Sequence, residues 1–275
     1  MQIKDLVQFL DQYFPVSLQE SYDNSGFLVG NGEGIVQGVL TCVDVTEEIL
    51  DEALEKGANF VLAHHPVIFS GLKSLTGKTY VERIVMKALQ NDIAIYAAHT
   101  NLDNSGIGVN MKLAETLDLQ NPRILRPMKD QLIKLVFFVP QTDAHAVRDA
   151  VFEAGAGQIG AYDSCSYNLN GQGTFRAGEG TNPYVGEKGK LHFEDETRVE
   201  TIFPDYKKSG VLKALFAAHP YEEVAYDLYP LKNPNPEEGA GVIGTFAQSM
   251  SIEEFLAMLK EKFNAQGIRY TKNKG

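Results

Sequence analysis

Apolar and polar positions alternate with two different periods along the first part of the chain. Apolar residues at helical spacing predict a first helix, which Pro15 closes. Short apolar runs over residues 36–43, 60–63 and 93–98 predict strands, and helices with one apolar face follow them. Because strand and helix alternate, this part of the chain is predicted to form a mostly parallel sheet covered by helices.

The pattern restarts beyond Pro122 and Pro127, where the composition changes. The predicted elements follow in this order: a strand over 132–139, a helix over 142–154, a glycine-rich region over 155–189, a strand over 199–203, a helix over 211–216 and a strand over 224–231. That order resembles a split β-α-β unit of the ferredoxin-like type.

The second pattern ends at residues 233–239, which contain two prolines and are interpreted as a linker. A strand over 242–246 then resumes the first pattern, and a final helix follows it. We therefore predict an α/β protein whose helix-covered, mostly parallel sheet is interrupted by an inserted ferredoxin-like α+β domain. The predicted core contains residues 1–127 and 238–275, and the inserted domain contains residues 128–237.

Two of the predicted strands end in side chains that can bind a metal. The first is followed by His64-His65-Pro66, and the second by a segment that runs from His99 to Asp103. Ligands of parallel sheets bind outside the carboxyl ends of the strands, so these segments are expected to be neighbours. Imidazole and carboxylate together suit Zn, Mn, Fe or Co, and the absence of nearby cysteine disfavours a thiolate site.

Two further residues near these strand ends have alternative roles. His99 could be a metal ligand, a donor that orients a ligand, or a polar residue at a strand end, and we favour the outer, orienting position. Asp23 lies in Tyr22-Asp-Asn-Ser-Gly26 and could be an active-site carboxylate. Such a cluster more often builds a turn, which is the preferred interpretation on residue type alone.

Two motifs of the predicted inserted domain could also have a function. The segment from Glu179 to Gly186 resembles a phosphate-binding loop in composition, but it lacks a Lys-Ser/Thr pair. A hairpin tip or a subunit contact is therefore favoured. The segment His219-Pro-Tyr-Glu-Glu223 could be a separate metal site, but Pro220 breaks the helix there and a helix-to-strand connection is favoured.

Composition narrows the class of protein. Of 275 residues, 44% are hydrophobic and 22% are charged, which is typical of a soluble globular protein. The formal net charge of -11 argues against a general nucleic-acid or anionic-membrane surface. Two widely separated cysteines, Cys42 and Cys165, indicate a reducing compartment. No segment approaches membrane-spanning length, so a cytoplasmic location without a membrane partner is expected.

Several segments together resemble one known family. The motifs that carry the resemblance are Tyr22-Asp-Asn-Ser-Gly26, Leu62-Ala-His-His-Pro66, Ala97-Ala-His-Thr-Asn-Leu-Asp103 and Gly239-Ala-Gly-Val-Ile-Gly244. The chain is similar to the dinuclear metal-centre hexameric proteins, which are also called GTP cyclohydrolase 1 type 2 homologues and are related to the NGG-interacting factor. The inserted domain resembles the PII- and CutA-like domain of the longer bacterial members.

The resemblance implies a homohexameric ring with two divalent metal ions in each complete site. By the motif match, His64, His65 and Asp103 correspond to metal ligands of the family, and Asp103 would bridge both ions. The family completes its site with a His and a Glu, four residues apart, in a C-terminal segment that this sequence lacks. The resemblance therefore implies a C-terminally truncated core and half of a metal site.

The function implied by the resemblance has two forms. One is a metal-dependent hydrolase of nucleotide-like substrates, for which no catalytic residue is assigned, although His99 or Asp23 could shuttle protons. The alternative is a non-catalytic, ring-forming assembly or regulatory protein that binds a metabolite or a protein partner.

Overall fold

The computed structural model describes residues 1–271. The chain forms two compact units, one made of Met1–Arg126 with Glu237–Gly275 and the other of Pro127–Pro236. The second unit thus interrupts the first in sequence, as the predicted fold class requires. The predicted core also includes residues 272–275, which lie outside the described residues.

The first unit contains a four-stranded sheet and its helices. Its elements up to the second unit are α1 (Ile3–Tyr13), β1 (Gly26–Val29), β2 (Val39–Cys42), α2 (Glu47–Glu55), β3 (Phe60–Ala63), α3 (Tyr80–Gln90), β4 (Ala94–Ala97), α4 (Thr100–Asn104), α5 (Val109–Thr116) and β5 (Gln120–Met128). The sheet has the order β1-β4-β3-β2. β2, β3 and β4 are parallel, and β1 pairs with β4 in the antiparallel direction. The sheet is therefore mostly parallel, as predicted.

The central strands are apolar because both of their faces are covered. On one face, Val61 and Ala63 of β3 belong to a core with the apolar sides of α2 and α3. On the other face, Phe60 and Tyr96 pack with Leu10 of α1. All five residues are less than a tenth exposed. This double burial explains why β3 and β4 are short continuous apolar runs without alternation.

Helix ends follow the local signals of the sequence. The side chain of Thr46 caps α2 by accepting a hydrogen bond from the N–H of Ile49 at 3.3 Å. Gly57 follows the end of α2 with a φ of 69°, a left-handed conformation that glycine adopts without strain. α1 ends at Tyr13, two residues before Pro15. These boundaries place β3, and the histidines behind it, at a defined edge of the sheet.

The second unit has the ferredoxin-like order of elements. They are β6 (Leu132–Pro140), α6 (Ala144–Glu153), β7 (Tyr167–Arg176), β8 (Leu191–Pro204), α7 (Lys208–Ala218) and β9 (Tyr226–Leu231). The sheet has the order β7-β8-β6-β9, and all of its neighbouring strands are antiparallel. Alternate residues of β6 and β8, such as Phe137 and Val199, are fully buried with Val147 of α6 and Leu215 of α7. Both helices therefore lie on one face of this sheet.

No strand was predicted within the glycine-rich region over 155–189, but its middle part forms β7. β8 is also much longer than the strand predicted over 199–203. β7 pairs on one side, with β8, and most of its residues are exposed. A strand without a buried face carries no apolar alternation, so the pattern could not reveal it.

The chain re-enters the first unit through β10 (Asn235–Thr245) and continues into α8 (Ile252–Lys262). β10 pairs with β5 in a two-stranded sheet, so the linker predicted over 233–239 is wrong from Asn235 onward. Pro122, Pro127 and Pro236 lie inside these two strands. Proline is tolerated there because each strand of a two-stranded sheet has one edge without a partner.

Candidate metal centre

Neighbouring strand ends bring the histidine-bearing segments of the first unit together. β3 and β4 run parallel with Ala63 opposite Ala97, so His64-His65 and His99 leave the sheet at the same edge. The N–H of Ala98 donates to the carbonyl oxygen of Ala63 at 2.9 Å and continues the ladder beyond the strands. The two segments are held side by side by backbone pairing.

Three imidazole rings meet at this edge. The ring centroids are 5.0 Å apart for His64 and His65, 5.2 Å for His64 and His99, and 5.5 Å for His65 and His99. One ring nitrogen of each residue lies within 4.8 Å of the corresponding nitrogens of the other two. We call these three residues the histidine cluster, and each of its members is partly exposed. Rings at this separation can converge on one ion.

Each ring of the histidine cluster uses Nδ1 for a bond to an oxygen. The partner of His64 is the carbonyl oxygen of Ala98 at 2.9 Å. The partners of His65 and His99 are the carboxylates of Asp44 and Asp23, both at 2.8 Å. An acceptor at Nδ1 holds the proton of a neutral ring there and leaves a lone pair on Nε2. The donor set is therefore three Nε2 atoms, each oriented as metal-binding histidines usually are.

Asp23 connects the turn before β1 to the start of α4. Its Oδ1 faces His99, while its Oδ2 accepts hydrogen bonds from the N–H of Thr100 at 3.0 Å and from the Ser25 hydroxyl at 2.8 Å. The Thr100 hydroxyl makes a further short hydrogen bond to Oδ2. The Asp23 side chain is fully buried. The interpretation of this segment as a turn did not include the main role of Asp23, which is to orient His99.

These bonds determine the ionisation of Asp23. Burial by itself would raise the pKa of its carboxyl. Hydrogen bonds from Thr100, His99, Ser25 and the N–H of Asn24 outweigh burial and hold that pKa well below its usual range. The carboxylate is consequently ionised at neutral pH, and its charge makes the His99 ring a stronger electron donor.

The predicted site residues take different places. His64, His65 and His99 all lie in the histidine cluster, and whether His99 is a ligand or an outer, orienting residue stays a prediction. Asp103 is in α4, one turn after His99, and its N–H donates to the His99 carbonyl oxygen at 3.0 Å. Among residues 1–271, the Asp103 carboxylate is not one of the groups within 4.8 Å of the three imidazole nitrogens. Sequence reasoning missed Asp44, although it follows β2 and is a third polar residue at a strand end.

The motif at His219 in the second unit is built differently. This histidine is 6% exposed, and its Nε2 donates to the carbonyl oxygen of Phe138 at 2.9 Å. Its Nδ1 accepts a hydrogen bond from the N–H of Tyr221 at 3.1 Å. Both ring nitrogens are occupied, so His219 serves the helix-to-strand connection that was favoured over a metal site.

Open space adjoins the histidine cluster on the side of His65. A cavity of about 480 Å³ is lined by His65, Asp44, the first turn of α2 and Tyr80 of α3. The His65 side chain is 45% exposed. On the other side, the ring of Phe69 lies edge-on against His99, with 5.9 Å between the centroids. A small molecule can therefore approach the histidine cluster from the His65 side.

Fold and site together define a class of protein: an α/β core with a strand-end cluster of three histidines, interrupted by a ferredoxin-like domain. A family model for Duf34/NIF3 (NGG1p interacting factor 3) matches residues 1–275. The chain belongs to this family.

Relatives of known name agree with the family. A Halalkalibacterium halodurans protein named GTP cyclohydrolase 1 type 2 homolog is 45% identical over 265 residues, which cover 96% of this chain and 71% of the relative. A Bacillus subtilis protein with the same name is 39% identical over 267 residues, covering 97% of this chain and 72% of the relative. Both relatives are longer than this chain.

Solved structures show the same fold. The crystal structure of a Bacillus cereus protein related to NIF3 matches with a TM-score of 0.83 and 41% identity, covering 97% of this chain and 71% of that one. The Staphylococcus aureus protein SA1388 matches with a TM-score of 0.66 and 34% identity, covering 98% and 70%. Within the described residues, none of the helices has the length and apolar character needed to cross a membrane.

Proposed function

We propose that His64, His65 and His99 hold a divalent metal ion and that the protein is a metal-dependent hydrolase of nucleotide-like substrates. The observation that carries this proposal is the orientation of the three rings. Each has an oxygen partner at Nδ1, which leaves Nε2 available for an ion, and one ring nitrogen of each lies within 4.8 Å of those of the other two. Three neutral imidazoles suit Zn, Fe or Co, and a carboxylate ligand extends the range to Mn.

A divalent ion held by the histidine cluster would supply a water of lowered pKa and would polarise the bond to be cleaved. The residues of the chain do the remaining work. Asp23 keeps the proton of His99 on Nδ1, and Asp44 does the same for His65. The cavity beside His65 provides room for a substrate group next to the ion. The names of the relatives, GTP cyclohydrolase 1 type 2 homolog, support a nucleotide-like substrate.

Further parts of the proposal come from the family resemblance. We assign Asp103 as an additional ligand that takes part when a second ion binds. We also propose a homohexamer in the cytoplasm, with the second unit as the PII/CutA-like insertion. α8 supports self-association, because none of its described residues is buried although Ile252 and Leu259 are apolar. A non-catalytic ring that binds a metabolite or protein partner is the second candidate.

Metal content tests the site. The wild type and the His64→Ala, His65→Ala and His99→Ala variants are purified and their divalent metals measured by mass spectrometry. We expect bound metal in the wild type and a loss of most of it in each variant. His145→Ala is the matched control, because its ring is 80% exposed on α6 and pairs with Asp149. Retention of metal by all three variants would falsify the site.

Turnover tests the hydrolase separately. Wild-type protein loaded with Mn or Zn is incubated with GTP and other nucleotides, and the products are resolved by chromatography. We expect hydrolysis that the His65→Ala variant lacks. If the wild type carries metal but turns over none of the nucleotides, the hydrolase proposal fails while the metal site stands, and native mass spectrometry then examines the ring-forming alternative.

A further inference from the structure

The two motifs of the second unit that the metal site does not use meet at one cavity. Residues 178–184 and 221–225 both line it, on the sheet face opposite α6 and α7. Phe138 of β6 and Glu196 of β8 contribute from the sheet itself. The cavity has a volume of about 440 Å³. This volume lies within the range of about 300–1,000 Å³ that is usual for small-molecule sites. We call it the second-unit cavity.

Hydrogen bonds hold the two segments in place around the second-unit cavity. His219 fixes the start of one segment through the carbonyl oxygen of Phe138 and the N–H of Tyr221. The N–H of Asn182 in the other segment donates to both carboxylate oxygens of Glu222, at 2.9 and 3.2 Å. The cavity is therefore built by specific contacts between the motifs and does not result from loose loop packing.

Aromatic rings form its walls. The centroid of the Tyr221 ring lies 6.2 Å from that of Phe175 and 6.2 Å from that of Tyr184. The ring planes are inclined by 60° and 54° to that of Tyr221. These three rings all line the cavity, and the electron-rich face of an aromatic ring attracts cations.

The lining is also negatively charged. Among the described residues that line the cavity, the carboxylates are Glu196, Glu222 and Glu223, against one guanidinium, that of Arg176. The carboxylate of Glu196 lies over Gly173, where a Cβ would overlap with it. Burial raises the pKa of the Glu196 carboxyl. An ionised Glu196 therefore gains stability when a positive group enters the cavity.

The negative charges around the cavity also raise the pKa of Tyr221. Burial raises the pKa of the Tyr221 hydroxyl, and the carboxylates of Glu196, Glu194 and Asp143 raise it further. A negative field of this kind repels phosphate. It thus argues against the phosphate-binding role that the composition of residues 179–186 suggested.

We propose that the second-unit cavity binds a small organic cation, an ammonium group with apolar substituents, between Phe175, Tyr184 and Tyr221, with Glu196 as its counter-charge. The aromatic walls provide cation–π attraction and cover the apolar substituents. The carboxylate provides the opposite charge in a partly desolvated place, where such attraction is stronger than in water. This site is independent of the histidine cluster.

Titration of the full chain tests the proposal with choline and benzyltrimethylammonium as probes, followed by ligand-observed NMR and calorimetry. The uncharged analogue of choline, 3,3-dimethyl-1-butanol, has nearly the same shape and serves as the control ligand. AMP serves as the anionic control. We expect saturable binding of at least one of the two cations and at least about fivefold weaker binding of both controls.

Variants locate the binding. Glu196→Gln keeps the shape of the side chain and removes the charge, and Tyr184→Ala removes an aromatic wall that is 56% exposed. Each is expected to weaken cation binding about fivefold or more. Asp195→Asn, the neighbour on β8 that points to the other face, and Tyr167→Ala, which is 63% exposed on β7, are the matched controls. They are expected to change binding less than about twofold.

Three outcomes would overturn the proposal. The first is that neither cation binds, and the second is that the neutral analogue or AMP binds as tightly as the cations. The third is that Glu196→Gln and Tyr184→Ala bind the cations as the wild type does, while circular dichroism shows that both variants are folded.

Discussion

The histidine cluster and the His219 segment look alike in sequence but differ in how their ring nitrogens are used. In the first unit, every imidazole of the cluster has one nitrogen bonded to an oxygen and one available for a ligand. In the second unit, His219 has a partner on both nitrogens. The segments at His64 and His219 each begin with a histidine followed within two residues by a proline.

The difference shows that the number of occupied ring nitrogens, and not the motif, separates a candidate ligand from a structural histidine. A histidine with one available nitrogen can bind an ion at little cost, because its orientation is already fixed. A histidine with two partners must give one up, and this leaves a buried polar group without a hydrogen bond. Substitutions that remove one hydrogen-bond partner, or one ring, can test this difference between the two regions.

The first expected effect concerns the metal affinity and Asp23, which orients His99. Asp23→Asn removes the negative charge behind the ring and places an amide near donors that now bond to a carboxylate. We expect the affinity for the metal to fall about 10- to 100-fold, the usual cost of losing a partner of a metal-binding histidine. A competition titration against a coloured chelator measures the dissociation constant.

Asp11→Asn is the control for Asp23→Asn. Asp11 also lies in the first unit and accepts a hydrogen bond, at 2.7 Å, from the hydroxyl of Tyr96. Its loss should leave the metal affinity unchanged within about twofold, since it touches none of the cluster. Equal losses of affinity in both variants would mean that Asp23 acts through the stability of the unit alone.

The second effect concerns stability at His219. His219→Ala leaves the carbonyl oxygen of Phe138 and the N–H of Tyr221 without this partner and opens a cavity. We expect the free energy of unfolding to fall by about 2–4 kcal/mol, with the metal content unchanged. Denaturant titration measures the loss, and His145→Ala should stay within about 0.5 kcal/mol of the wild type. Loss of bound metal in His219→Ala would contradict the contrast between the two regions.

The smallest effect is a pH dependence that His219 adds to stability. Burial lowers the pKa of its imidazole, and the oxygens of Phe138 and Asp143 oppose this shift only in part. The folded protein therefore takes up the proton at a lower pH than the unfolded chain, in which the pKa is about 6.5. The stabilisation is complete above about pH 6.5 and is lost as the pH falls toward the lower pKa of the folded state.

The difference between wild type and His219→Ala reveals this pH dependence. We expect the difference in free energy of unfolding to be constant above about pH 7 and to narrow on acidification. Denaturant titrations at several pH values measure it. A difference that stays constant down to about pH 5 would show that His219 keeps its ordinary pKa in the folded protein.

The apolar pattern was sufficient for most elements that bury an apolar face. β3 and β4 are buried on both faces and were predicted as continuous apolar runs, and most helices of both units were predicted from their apolar sides. α4 was not predicted, because its buried residues are polar. β7 and β5 were missed because they lie at sheet edges and are mostly exposed. An apolar pattern arises where side chains are buried, and an exposed edge strand buries few of them.

The sequence predicted where in the fold the candidate site lies, but not which side chains form it. The sequence by itself determined that His64-His65 and His99 follow strands, and parallel strands end at one edge because of their shared direction. Only the tertiary structure decided that His99 joins the two other rings and that Asp44 and Asp23 orient His65 and His99. It also decided that both ring nitrogens of His219 have hydrogen-bond partners. Contacts such as His99 with Asp23 join residues 76 positions apart, and no local pattern encodes which partner a ring nitrogen meets.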